Sequence, residues 1–336
     1  MQFKKIEDLR PGMRLARPIY NKNGVMLFDR DAKISAAGIA SIQNFGLIGL
    51  FILEPAEPCP PMSEDDIEFE RFQTVNVFGL MDEIEKIKNQ GRTAKLSIIV
   101  SNIIKSYGHL ERKINFNQNL RSEEDAKYKH AINVAILTAM MSNKLNLKVE
   151  DRLDAVTAAL VRGLVNIDTI EKLFSSNPNV KRYVFQADTI LQGVEDGAIE
   201  ANVKLMDGGK ILAIADVFDS MTCMSADKTP DSEVATIKYM LDKPGFFDKN
   251  FVMSIVESIN ILVPGICVEL NTGSKALVIS ENKRDMFRPM ILSFDNNEII
   301  DLSNTNSYGD VEIIDIMKTM DNRHVMDTEM LKNFGL

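Results

Sequence analysis

Between Glu123 and Leu262, apolar residues recur at helical spacing in five stretches: "AKYKHAINVAILTAMMSNKL", "VEDRLDAVTAALVRGLV", "GGKILAIADVFDSMT", "PDSEVATIKYMLDK" and "NFVMSIVESINIL". A 3.6-residue period held this long commits the middle of the chain to packed helices rather than to a sheet. With 45% hydrophobic residues over 336 positions there is material for at least one sizeable core and length for two or three domains. One stretch resists this pattern. In "AALVRGLVNID", Leu160, Val161, Leu164 and Val165 suit a core, yet Arg162 and Gly163 stand among them, one charged and one helix-weakening.

The pattern changes on both sides of the helical region. Residues 1 to 54 alternate β-like runs ("MRLARPIY", "VMLF", "LIGLFIL") with Gly and Pro punctuation, a turn at Asn21 to Gly24 and one helix-like "SAAGIASIQNFG". "EPAEPCPPMSEDD" reads as an extended linker leading into a helix start, since acidic residues favour a helix N-terminus. From Ile67 to about Leu120 the spacing predicts a long helix, a break near Gly91 and a second helix. After Pro264 the period becomes two, with a hairpin turn at Asn271 to Gly273, and a helical or frayed tail is expected from Val311. The expected class is therefore mainly α, in four parts: a β-rich module (1–56), linker and helices (57–122), a helical domain (123–262), and a β-rich domain with tail (263–336).

Charge and cysteine usage narrow the function. A formal net charge of −9, with no Lys/Arg block longer than a pair, disfavours non-specific binding to nucleic acid or anionic membranes. Cys59, Cys223 and Cys267 are odd in number, far apart and without C-x-x-C spacing, which argues against a disulfide framework or a zinc site and for reduced cytoplasmic thiols. The longest apolar run, "FGLIGLFIL", is too short to span a bilayer, and the opening "MQFKKIEDLRPGM" has no signal-like apolar region, so no membrane insertion is expected. "DGGK" at Asp207 to Lys210 lacks the phosphate-loop spacing and reads as a turn opening the next helix.

A few polar residues interrupt the apolar helices. His130, Val134, Leu137 and Met141 fall at i, i+4, i+7 and i+11, so His130 heads an inward stripe with Asn133 one turn away. Asp216 breaks "ILAIADVF", and a buried carboxylate requires a partner. Asp216 and Asp219, at i and i+3, either share a cation or engage caps and basic side chains. For His130 the alternatives are a hydrogen-bonded core histidine and a metal ligand.

Several stretches together resemble the HD-GYP family, bacterial HD-domain phosphodiesterases that hydrolyse cyclic di-GMP. "YKHAINVAILTAMMSNKLNL" resembles the family's opening helix, and "KILAIADVFDSMTC" the helix that supplies its late metal-ligand Asp. "INILVPGICVELNTGSKALVISEN" resembles its β-rich end, and "LRPGMRLARPIYNKNGVMLF" the small module often placed before it. The resemblance covers most of the chain and implies an HD-domain-like helical bundle flanked by the two β-rich parts. In the family, two or three iron or manganese ions held by several His and carboxylates activate water for attack on a phosphodiester.

This chain departs from that chemistry. It has three histidines, His109, His130 and His324. "AALVRGLVN" stands where the family has A-A-L-L-H-D-I-G-K, which puts Arg162 at the His, Gly163 at the Asp and Asn166 at the Lys. Counting back from Asp216 puts "ADT" (Ala187 to Thr189) at H-H-E and "EDG" (Glu195 to Gly197) at G-Y-P, and Ala126 stands one turn before His130 where an acidic residue is expected. Only His130 and Asp216 match ligand positions, too few for such a centre. A guanidinium at Arg162 repels a metal cation and calls for Asp216, Asp219 or a bound phosphate as partner.

The resemblance thus implies a catalytically inactive relative with a vestigial pocket of His130, Asn133, Arg162, Asp216 and Asp219 and with no cofactor. Such a protein would be a cytoplasmic scaffold or receptor whose candidate partners are bacterial signalling proteins, a cyclic dinucleotide or a second copy of itself, and not nucleic acid. The alternatives are a metal-dependent phosphodiesterase or phosphohydrolase using iron or manganese at an unconventional site, and a metal-free helical interaction module without a pocket.

Overall fold

The computed structural model describes residues 2–44, 49–53, 59, 62–116, 125–198, 204–223 and 230–316. Its first part contains β1 (Gln2–Lys5), β2 (Arg14–Leu15), β3 (Ile19–Tyr20), β4 (Met26–Phe28), α1 (Ala36–Asn44) and β5 (Gly49–Leu53). Strands β1, β5 and β2 form an antiparallel sheet in that order, and β3 and β4 form a separate hairpin. The hairpin turns at Asn21–Gly24, where Gly24 donates to the Asn21 carbonyl (2.9 Å) with φ at +74°, a conformation glycine adopts without penalty. Leu9, Leu15, Ile19, Ile34, Ile42, Leu50 and Ile52 give this module an apolar cluster of its own.

Helix α2 (Glu64–Gln90) opens with a capping box. Ser63 Oγ accepts the Asp66 N–H at 3.2 Å, and the Asp66 carboxylate accepts the Ser63 N–H at 2.9 Å. It ends at Gly91 in the left-handed conformation, and α3 (Leu96–Tyr107) follows. The first N–H groups of a helix lack intrahelical acceptors. Here buried Glu83 supplies one: its Oε1 accepts from Thr93 Oγ1 (2.6 Å) and from the N–H groups of Ala94 (2.6 Å), Lys95 (2.9 Å) and Leu96 (3.2 Å).

Helix α4 (Ala126–Lys144) is the central rod: every residue from Ala131 to Ser142 is buried, so the stripe headed by His130 is one part of an all-round core helix. Around α4 pack α2, α3, α5 (Val149–Val161), α8 (Asp207–Thr222) and α10 (Lys249–Val256), while α6 (Ile167–Leu173), α7 (Pro178–Asp196) and α9 (Glu233–Leu241) complete the bundle. Helices α6 and α7 fall between the stretches singled out by periodicity. The "DGGK" segment opens α8 as its first turn. A Cβ on Gly208 would lie 2.6 Å from the Tyr183 ring, and one on Gly209 2.7 Å from Gln186, so the paired glycines let α8 approach α7 closely.

The chain closes with β6 (Cys267–Leu270), β7 (Lys275–Ser280), β8 (Met290–Ser293), β9 (Ile299–Asp301), the single turn α11 (Thr305–Tyr308) and β10 (Ile313–Ile316). These strands form one antiparallel sheet in the order β10-β6-β7-β8-β9. The β6–β7 turn has Gly273 at φ +81°, as its sequence predicts. The helical or frayed tail expected from Val311 is corrected: Ile313–Ile316 is a strand on the outer edge of β6. Asn271 clips it there by donating to the Asp310 carbonyl (2.7 Å) and accepting the Glu312 N–H (3.0 Å). Residues 317–336, including His324, lie outside the described residues.

The fold is mainly α with small antiparallel sheets. One continuous apolar cluster joins α2 through α10 with β6, β7, β8 and β10, so the terminal sheet shares the bundle's core. Among the described residues no helix is long and apolar enough to cross a membrane.

Candidate functional site

Helices α4 and α8 meet where each carries its polar interruptions. His130 lies in the first turns of α4, with Asn133 one turn deeper, and they face Asp216 and Asp219 on α8. His130 Nδ1 lies 2.7 Å from Asp219 Oδ2, and Nε2 lies 2.8 Å from Asp216 Oδ2. Both ring nitrogens can be satisfied by carboxylate oxygens only if both carry protons. Burial works against the charged ring, but the hydrogen bonds and negative charges of Asp216 and Asp219 outweigh it, raising the His130 pKa from 6.5 to about 9. The ring is therefore an imidazolium at neutral pH, shared as a cation by the two aspartates.

The network continues in both directions. Fully buried Asp219 also accepts from Asn133 Nδ2 (2.9 Å), and Asn133 Oδ1 accepts from Gln73 Nε2 (2.8 Å) on α2. On the outer side, Arg162 Nη1 donates to Asp216 Oδ2, and Arg162 Nε donates to Asp188 Oδ1 (2.7 Å) on α7. From the core outward the charges alternate: Asp219, His130, Asp216, Arg162, Asp188. Each buried ion has opposite charges as neighbours, the condition under which charge is tolerated in an interior.

Local backbone explains how Arg162 reaches this position. The residue is not inside a helix, as the apolar run suggested. Helix α5 stops at Val161, Arg162 is extended (φ −60°, ψ 132°) and Gly163 is left-handed (φ +71°). Asn166 caps α6 by accepting the Thr169 N–H at 2.8 Å. The Arg-Gly pair thus ends one helix and turns the chain toward the next.

The structure brings together all five residues expected from the sequence, His130, Asn133, Arg162, Asp216 and Asp219, and pairs Arg162 with Asp216. It adds two that were not anticipated. Gln73 lies on the buried face of α2 among other polar residues, Glu70, Asn76 and Glu83, so nothing in the sequence set it apart, and Asp188 lies in the "ADT" segment counted onto H-H-E. Gly197, in the "EDG" segment of that count, ends α7 in the left-handed conformation, and Asp125, next to Ala126, pairs with Lys129 at 2.6 Å at the start of α4. His109 is exposed at the end of α3.

Iron or manganese would need free lone pairs on His and carboxylate. Here the His130 nitrogens both donate, Asp216 Oδ2 is taken by His130 and Arg162, and a guanidinium occupies the outer side, so the donor set does not fit a metal centre. Among the described residues there is no group of three or more His, Cys, Asp or Glu placed to hold a metal. Fold and site together define a class: a mainly α bundle with a charge-balanced His-Asp-Arg chain running from core to surface. No protein-family model, curated protein or solved structure matches the chain.

Proposed function

We propose that this chain is a catalytically inactive, HD-GYP-like protein that serves a bacterial signalling pathway in the cytoplasm by binding partner proteins. The supporting observation is that the two matched ligand positions, His130 and Asp216, pair with each other, and that the Arg162 guanidinium holds the same Asp216 carboxylate. Metal-assisted hydrolysis requires a Lewis acid and an activated water. His130 and Arg162 supply positive charge but no open coordination position. Their role is to hold α4, α5, α7 and α8 in register.

The receptor version, with cyclic di-GMP or a related dinucleotide as ligand, is less favoured. Arg162, the residue suited to a phosphate, already donates Nε to Asp188 and Nη1 to Asp216, so a phosphate would compete with two carboxylates for the same guanidinium. The test uses the purified full chain after anaerobic incubation with iron(II) or manganese(II). The expected outcome is substoichiometric metal, no hydrolysis of cyclic di-GMP and no heat of cyclic di-GMP binding. Stoichiometric metal with hydrolysis would overturn the proposal in favour of the phosphodiesterase alternative, and binding without hydrolysis would replace the scaffold with the receptor.

A further inference from the structure

The N-terminal module and the helical bundle keep separate apolar cores. The cluster that contains Leu15, Ile42 and Ile52 shares no residue with the one built around α4. The two parts meet on α2, where the contact is largely polar. The β3–β4 hairpin rests there: a Cβ on Gly24 would lie 2.9 Å from Val75 Cγ2 and 3.3 Å from Arg71 Cγ. Arg17, between β2 and β3, places Nη1 3.5 Å from Glu70 Oε1. Glu70 is only 5% exposed, yet Oε1 has no hydrogen-bond partner among the described residues, and neither has the shielded hydroxyl of Tyr20 on β3.

A carboxylate held in this way is costly to bury while ionised. Its one facing cation is beyond ordinary hydrogen-bond length and also lies over the Phe51 ring, 4.9 Å from the centroid. Burial therefore raises the Glu70 pKa above the ordinary 4.5, with Arg17 opposing and Asp66, one turn back on α2, adding to the rise. Tyr20 supplies no charge. Burial, with the charges of Glu70, Asp29 and Glu68 working against that of Arg71, pushes its hydroxyl up to about 12. When the module lifts from α2, Arg17 and Tyr20 leave and water reaches Glu70. The seated state thus favours neutral Glu70: its contribution is complete below about pH 4.5 and is lost as pH climbs through the raised pKa. Arg17, 26% exposed, keeps water and the Phe51 ring as partners when Glu70 is neutral.

We propose that the N-terminal module is a proton-sensitive clasp on α2, seated when Glu70 is neutral and loosened when Glu70 is ionised. None of the residues of the His130 network takes part, so the proposed function stands or falls separately. The test is the distance between nitroxide labels, read by pulsed electron resonance, on the full chain carrying Lys22→Cys beside the hairpin tip and Asn89→Cys near the far end of α2, with the three native cysteines replaced by serine. Circular dichroism confirms folding at each pH. A single short distance is expected at about pH 5, and a longer, broader population is expected to grow by about threefold or more towards about pH 8. Glu70→Gln, which fixes the neutral form, is expected to keep the short distance at every pH. Arg17→Ala, which removes the opposing cation, is expected to enlarge the longer population at about pH 8 and to leave the short distance at about pH 5. A wild-type distribution that pH does not alter, or a pH response that Glu70→Gln retains, would overturn the proposal.

Discussion

The pH dependence of stability isolates the charge on His130. Its pKa in the folded protein is about 9 against an ordinary 6.5, so folding takes up a proton on this ring over the intervening range. A raised pKa contributes stability that is complete below about pH 6.5 and is lost as pH climbs through about 9. At about 1.4 kcal/mol per pH unit, the contribution comes to about 3 kcal/mol. The His130 side chain is 25% exposed and Asp219 is 0% exposed, so solvent screens this cluster weakly. The assay is urea denaturation of wild type and His130→Gln at intervals from about pH 6 to about pH 9.5, where the variant's amide cannot carry the charge. All other ionisable groups are common to both proteins and cancel in the difference. Wild type is expected to lose about 3 kcal/mol more than the variant across this window. Asp219→Asn, which removes one of the two anions, moves the loss to lower pH. Parallel curves for wild type and His130→Gln would refute the imidazolium assignment, because a neutral histidine contributes no such slope.

Arg162→Ala leaves Asp216 without its guanidinium partner in a largely buried setting and is expected to cost about 3 kcal/mol by urea denaturation. Asp188→Asn, at the 55% exposed end of the same chain of charges, is expected to cost less than about 1 kcal/mol. Glu83→Ala removes the acceptor of four hydrogen bonds at the start of α3 and is expected to cost about 3 kcal/mol, with hydrogen exchange of the Ala94 to Leu96 amides accelerating first. Burial pushes the Glu83 carboxyl up, but the hydrogen bonds from Thr93, Lys95, Ala94 and Leu96 hold it below the ordinary 4.5. Its contribution is therefore present above that pH and lost as pH falls through the lowered pKa, and Glu83→Gln flattens the acid limb of the stability curve. Gly208→Ala forces a methyl group against the Tyr183 ring and is expected to cost about 1–3 kcal/mol, read as a lowered Tm.

The α4–α8 half of the site was legible because a lone His or Asp in an apolar helix stands out against the periodicity, and helical phase then sets both on inward faces. Arg162 stood out for the same reason, but its backbone was misread: the apolar run extended a helix through a position where α5 has already ended and Gly163 turns the chain. Asp188 gave no periodic signal, since it lies on the solvent side of α7 and acquires a role only through Arg162. Gln73 belongs to a helix outside the region of metal-ligand matches, so nothing linked it to Asn133. Strand β10 was missed because its pairing with β6 is non-local, and Ile313–Ile316 carries no turn signal that identifies its partner. The hairpin at Gly273 and the acidic start of α2 were read correctly because their chemistry is confined to a few adjacent residues, though the Ser63 cap itself was not.

The central claim is that His130 and Arg162, rather than a metal ion, balance the charge of Asp216 and Asp219. It is tested most directly by anomalous diffraction from crystals grown with excess manganese(II) near neutral pH. The expected map has no anomalous peak between His130 and Asp216, with continuous density joining Arg162 to Asp216 and Asp188. A peak within coordination distance of His130 and Asp216, with Arg162 displaced, would contradict the claim.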